Sequence, residues 1–151
     1  MRKIIFYIIL AAVALLVPVK RNDLGKMKPV EVIYLNMEAD HLIIMADTGD
    51  WGRGANVQEA LRELKETAAG IIYLDTADYL ILSRGAEGIL EELAPYLKGD
   101  VRICLAEGEV DMKNAGNYLA IHEPRSQMRG WNDGNQLQIL MVGEDGRMVL
   151  K

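Results

Sequence analysis

Three glycines, Gly49, Gly52 and Gly54, lie in the stretch TGDWGRGANVQEAL, between an apolar run and a helical pattern. A flexible backbone in that position can cradle a phosphate against the first turn of a helix. Gly49 and Gly54 have the outer spacing of G-x-x-x-x-G-K-[ST], but Ala55 and Asn56 follow them. The lysine that reaches the phosphates and the hydroxyl that holds magnesium are therefore missing. The dinucleotide pattern G-x-G-x-x-G fits at Gly52 and Gly54 and fails at Val57. Two readings remain: an anion site at a bare helix N-terminus formed by Gly52, Arg53 and Gly54, or a turn that feeds a capped helix. The missing side chains favour the turn.

The other reactive residue types do not assemble. His41 and His122 are the only histidines, and neither has metal-ligand spacing with another ligand. Glu107, Glu109 and Asp111 alternate after an apolar run, where they would hold a hard cation loosely or simply be solvated. Asp75 and Asp78 flank a turn, where aspartate is favoured for its local backbone hydrogen bonds. No serine occupies a nucleophile-elbow sequence. Cys104 is the single cysteine and sits in the apolar run VRICLA, which excludes an intrachain disulfide and reads as a buried thiol. No catalytic set, cofactor or metal ion is expected. Trp51 and Trp131 both lie in glycine-containing loops, as anchors for a partner or as caps folded back on the core.

The elements that position these residues alternate in period. Residues 30–37 and 41–46 read as a hairpin of two strands. In NVQEALRELKETAAG, the residues Val57, Ala60, Leu61, Leu64 and Ala68 form a helical stripe, with Asn56 as N-cap and Glu59 completing a capping box. Gly70 is placed to stop that helix in a left-handed conformation. The runs 71–74 and 79–82 read as a tight hairpin or one kinked strand. A second helix is expected over 86–97, a buried strand over 101–106, a weaker helix over 111–121 broken at Gly116, a loop over 124–135, and a closing hairpin that turns at Asp145 and Gly146. Together these predict an α+β (mixed α/β) fold: a mixed sheet with two or three helices packed on it.

The first 21 residues differ in kind. Arg2 and Lys3 precede an apolar run over residues 4–19, and Lys20 and Arg21 follow it. As a helix this run is roughly 24 Å long, short for a hydrocarbon core but extendable by snorkelling cations. The region before residue 20 is a poor cleavage site, so the reading is an uncleaved signal-anchor over 1–21, with the body secreted if it is cleaved. A polar tether over 22–29 and a single extracytoplasmic domain over 30–151 follow. The chain carries a net charge of −5, and all four charges before Asn22 are basic, so the remainder carries −9, which is −5 less those four. An acidic body speaks against nucleic acid as a partner.

The segment GRGANVQEALRELKETAAGIIYLDTADYLILSRGAEGILEELAPYL, residues 52–97, resembles the N-terminal domain of the spore germination receptor C subunits, the Ger(x)C family. Gly52-Arg53-Gly54 and Glu59-Ala60 match that family's turn and helix, and ILMVGEDGRMVLK is similar to its closing hairpin. The likeness extends over 30–151. The chain departs from the family in lacking a lipid-anchor cysteine, in carrying Asp75-Thr76 near the place of a Gly-His pair, and in reading as a single domain. The resemblance implies a membrane-attached, non-catalytic module outside the cytoplasmic membrane, with germination-receptor or other sporulation membrane proteins as partners. The alternative is an exported domain that binds a small ligand or anion through Gly52, Arg53 and Gly54.

Overall fold

Alternating apolar residues in short strands build one mixed sheet in the computed structural model, which describes residues 27–131 and 136–151. Its strands are β2 (Val32–Glu38), β3 (His41–Ala46), β4 (Trp51–Gly54), β6 (Tyr79–Ser83), β7 (Arg102–Glu107), β8 (Ser126–Gln127), β9 (Ile139–Val142) and β10 (Met148–Leu150), while β1 (Met27–Pro29) and β5 (Ile71–Tyr73) pair separately. The order across the large sheet is β10-β9-β7-β6-β2-β3-β4, with β8 added to β7. The four central strands β2, β6, β7 and β9 run parallel, and both ends of the sheet are antiparallel hairpins. The fold is thus mixed α/β with a mixed sheet and three helices among the described residues.

Two layers cover the sheet. On one face Ile33, Leu35, Leu42, Ile44, Leu80, Leu82 and Ile103 pack beneath α1 (Val57–Thr67) and the short helical turns around α2 (Leu90–Leu93). On the other face Val32, Ile81, Cys104, Ala106 and Leu140 pack beneath Ala115 and Leu119 of α3 (Met112–Ile121). Helices on both faces explain why Tyr79, Leu80, Ile81 and Leu82 are all buried, since a parallel interior strand has no solvent side. Each fully buried leucine or isoleucine of this set contributes about 1.5–3 kcal/mol relative to exposure.

Several elements depart from the sequence expectation. Residues 71–74 and 79–82 form neither a hairpin nor one strand. A single 3-10 turn (Leu74–Thr76) separates them, β5 joins β1 in parallel, and β6 enters the large sheet beside β2. The Thr76 hydroxyl fixes this crossing by accepting the Val30 N–H at 2.9 Å and facing the Val30 carbonyl at 3.0 Å. Met27–Pro29, within the expected tether, is therefore structured. The helix expected over 86–97 is three short turns, because Gly88 and Pro95 interrupt a continuous backbone ladder. Gly116 does not break α3. Its missing side chain makes room for Val32, whose Cγ2 would lie 3.2 Å from an added Cβ. Helix α1 ends at Ala68 in an extended conformation rather than at a left-handed Gly70. The expected loop over 124–135 contributes β8. The expected membrane helix over 1–21 lies outside the described residues.

Candidate functional site

The glycine stretch is a strand, not a loop. After β3 the chain turns with Gly49 at φ +86°, and the Ala46 N–H donates to the Asp50 carbonyl at 2.9 Å. Strand β4 then pairs with β3, setting Trp51 opposite Met45 and Arg53 opposite Ile43. Side chains alternate across a strand, so Gly52 and Gly54 face α1 while Trp51 and Arg53 face the other side. A Cβ on Gly52 would lie 2.2 Å from the Ala60 carbonyl oxygen, and one on Gly54 would lie 2.5 Å from the Ala60 nitrogen. These two glycines let the helix backbone rest directly on the strand backbone. That is a packing reason for a pattern that resembled phosphate-binding chemistry.

The Glu59 N–H in the first turn of α1, and the Arg53 and Ala55 N–H groups before it, are occupied by the chain itself. Asn56 Oδ1 accepts the Glu59 N–H at 2.9 Å, and Glu59 Oε2 accepts the Ala55 N–H at 3.0 Å. Glu63 Oε2 accepts the Arg53 N–H at 2.6 Å. Two carboxylates already stand where an anion would have to bind. Gly52 and Gly54 are buried against α1, and the exposed Arg53 side chain points away from them, so the three residues do not converge on one pocket.

The face that carries Trp51 is open. Helix α3 covers the centre of that side of the sheet but not its β3–β4 end, leaving the Trp51 side chain 52% exposed and Met45 half-buried beside it. A cleft of about 900 Å³ lies here. Met45 and Trp51 form one wall, Val110, Met112 and Lys113 at the start of α3 form another, and Gly143 and Glu144 of the last hairpin close its end. Its carboxylates are Asp47, Asp50, Glu109, Asp111 and Glu144, against the single cation Lys113. Three of them have structural duties. Asp47 accepts the Glu31 N–H at 3.2 Å. Asp111 caps α3 by accepting the Lys113 N–H at 3.0 Å and the Asn114 amide at 2.6 Å. Asp50 accepts from Lys28 Nζ at 2.9 Å and from the Thr48 hydroxyl at 2.7 Å, and the Lys28 hydrogen bond, followed by that of Thr48, holds its carboxyl below the ordinary range.

The other residues singled out by type are dispersed. Trp131 packs against the larger core. His41 is exposed at the head of β3, and the exposed His122 has its ring 4.5 Å from that of Tyr118. Glu107 pairs with Arg84, and Asp78 pairs with Lys98. Cys104 is buried on β7, and desolvation pushes its thiol up to about 12. No group of three metal-ligating side chains occurs among the described residues. Every buried side-chain nitrogen or oxygen among them has a hydrogen-bond partner. The cleft escapes a reading of motifs because it has no motif. Its sequence traces are scattered: Trp51, the acids Glu109 and Asp111, and the alternation of HLIIMA, which places Met45 on the face opposite the buried Leu42 and Ile44. No protein family, curated protein or solved structure matches this chain.

Proposed function

We propose that this chain is a non-catalytic protein-interaction module, held on the extracytoplasmic side of a cell membrane by its N-terminal apolar segment and serving spore germination or sporulation. One observation carries the interaction reading. An open cleft, walled on one side by Met45 and the half-exposed Trp51, sits at the β3–β4 end of the sheet. A tryptophan in a concave, partly apolar setting is the residue type that dominates protein–protein contact energies. The apolar run over residues 4–19 supports attachment to a membrane. The resemblance over 30–151 supports the germination setting. The anion-binding alternative has less support, because Glu59 and Glu63 fill the donors it needs.

A photo-crosslinking side chain in place of Trp51, in the full-length chain within native membranes, tests this. The expected result is a discrete adduct in the carbonate-resistant membrane fraction, absent when Glu66 on the far face of α1 carries the crosslinker instead. Release of the chain by carbonate, or the same adducts from both positions, contradicts the proposal.

A further inference from the structure

The Lys28–Asp50 ion pair fixes the place of the Trp51 cleft relative to the apolar N-terminal run. Asp50 lines the cleft, and Lys28 on β1 holds its carboxylate at 2.9 Å. Lys28 stands seven residues after Arg21, which closes the basic flank of the run. Extended chain of that length reaches at most about 25 Å. With the run in a membrane, the tether therefore keeps the Asp50 wall of the cleft close to the lipid headgroups.

The charge of the cleft is one-sided. Its carboxylates outnumber its one cation, Lys113. Asp47, Asp50 and Asp111 are engaged within the body, and Lys28 answers only Asp50. Glu109 and Glu144 are exposed and make no hydrogen bond or ion pair among the described residues. They share the lining with apolar Met45, Trp51, Val110 and Met112. Long cationic side chains suit such a lining, since their stems pack on methionine and indole while their heads reach carboxylates. A volume of about 900 Å³ holds several side chains rather than one small cation. The same carboxylates repel anionic headgroups, so the lipid surface itself is a poor occupant.

We propose that the cleft takes a lysine- or arginine-rich segment of a neighbouring membrane protein, at the point where that protein leaves the bilayer on the extracytoplasmic side. This rests on the reading that the Trp51 face docks a membrane partner. It adds the charge of the docking segment and its height above the membrane.

Two measurements test it. The first titrates the full-length chain, in phosphatidylcholine nanodiscs, with short fluorescent peptides of alternating lysine and alanine or of alternating glutamate and alanine. The lysine peptide should bind, and Glu109→Gln combined with Glu144→Gln should weaken it about threefold to tenfold. Glu91→Gln combined with Glu92→Gln, exposed and away from the cleft, should leave it unchanged. Equal binding of both peptides, or no loss with the first pair of substitutions, overturns the proposal. The second follows the adduct formed in native membranes by a photo-crosslinking side chain in place of Trp51. It should be lost with Glu109→Lys combined with Glu144→Lys. It should also be lost when a 20-residue helical spacer inserted after Asp23 lifts the body by about 30 Å. An adduct retained in either variant overturns the basic, membrane-level occupant and leaves the docking reading intact. An adduct to the chain's own residues 20–26 overturns it too and gives the cleft to that flank. No adduct in the otherwise unsubstituted chain removes the docking reading itself, and this proposal with it.

Discussion

Glu63 on α1 accepts the outward backbone N–H of Arg53 on β4 at 2.6 Å. The helix that buries one face of the edge strand also occupies its hydrogen-bonding groups, and Thr67, one turn further on, does the same for the Trp51 carbonyl. Removing both caps reopens an edge. Glu63→Ala combined with Thr67→Val should cost about 1–3 kcal/mol in denaturant unfolding and should raise the aggregation rate of the folded protein. Unchanged stability and solubility would show that the two contacts do not protect the edge.

The closeness of β4 and α1 makes a sharper prediction. Gly52→Ala must push the Ala60 and Leu64 backbone away, so a loss of about 1–3 kcal/mol or more is expected. Gly88→Ala, where an added Cβ meets nothing within 4 Å, should change stability little. Thermal melts of the two variants compare these outcomes directly.

Cys104 predicts a pH dependence. Burial raises its thiol from the ordinary value of 9.0 to about 12, so the folded state keeps a proton that the unfolded state gives up. The resulting stability is fully present below pH 9 and is lost as pH rises toward 12, with a slope of about 1.4 kcal/mol per unit. Tyr34 and Tyr79, also raised by burial, add to the loss at high pH, so the comparison must be with Cys104→Ala. The difference in unfolding free energy between the two proteins should shrink across this window. A constant difference would contradict the buried-thiol account.

Asp50 predicts the opposite limb. Its carboxyl is depressed by Lys28 and then Thr48, so the stability it supplies is present above the ordinary carboxylate range and is lost as pH falls through its lowered value. The ion pair ties the β3–β4 turn to β1, so the exchange protection of the Met27 and Lys28 amides should fall below about pH 4. Asp50→Asn should show that loss of protection already at neutral pH. Protection of β1 that is independent of pH in both proteins would remove the tie.

Local signals were legible in the sequence and long-range ones were not. Asn56 and the stripe from Val57 to Leu64 announce α1 because capping and helical period involve neighbours. The alternation of β2 and β3, the two-sided burial of β7 and the turn at Gly146 are equally local. Gly52 and Gly54 read as a loop because their reason is Ala60, on a different element. The β1–β5 pairing depends on contacts between residues 44 apart in the register of Met27 with Ile71, which no window of sequence contains. The two tryptophans stand in similar local sequence, yet Trp131 meets the core while Trp51 is half-exposed. Only the sheet order, with α3 too short to cover its β3–β4 end, separates them.

The central proposal is that the Trp51 face docks a membrane partner. The most direct measurement is affinity capture of the tagged full-length chain from sporulating and vegetative membranes, read by mass spectrometry, for the unsubstituted protein, Trp51→Ala and Ile71→Ala. Ile71 is a matched control, 46% exposed and away from the cleft. The account predicts germination-receptor or other sporulation membrane proteins from the sporulating sample alone, lost with Trp51→Ala and retained with Ile71→Ala. The same proteins recovered from both kinds of membrane, or recovery unaffected by Trp51→Ala, would contradict it.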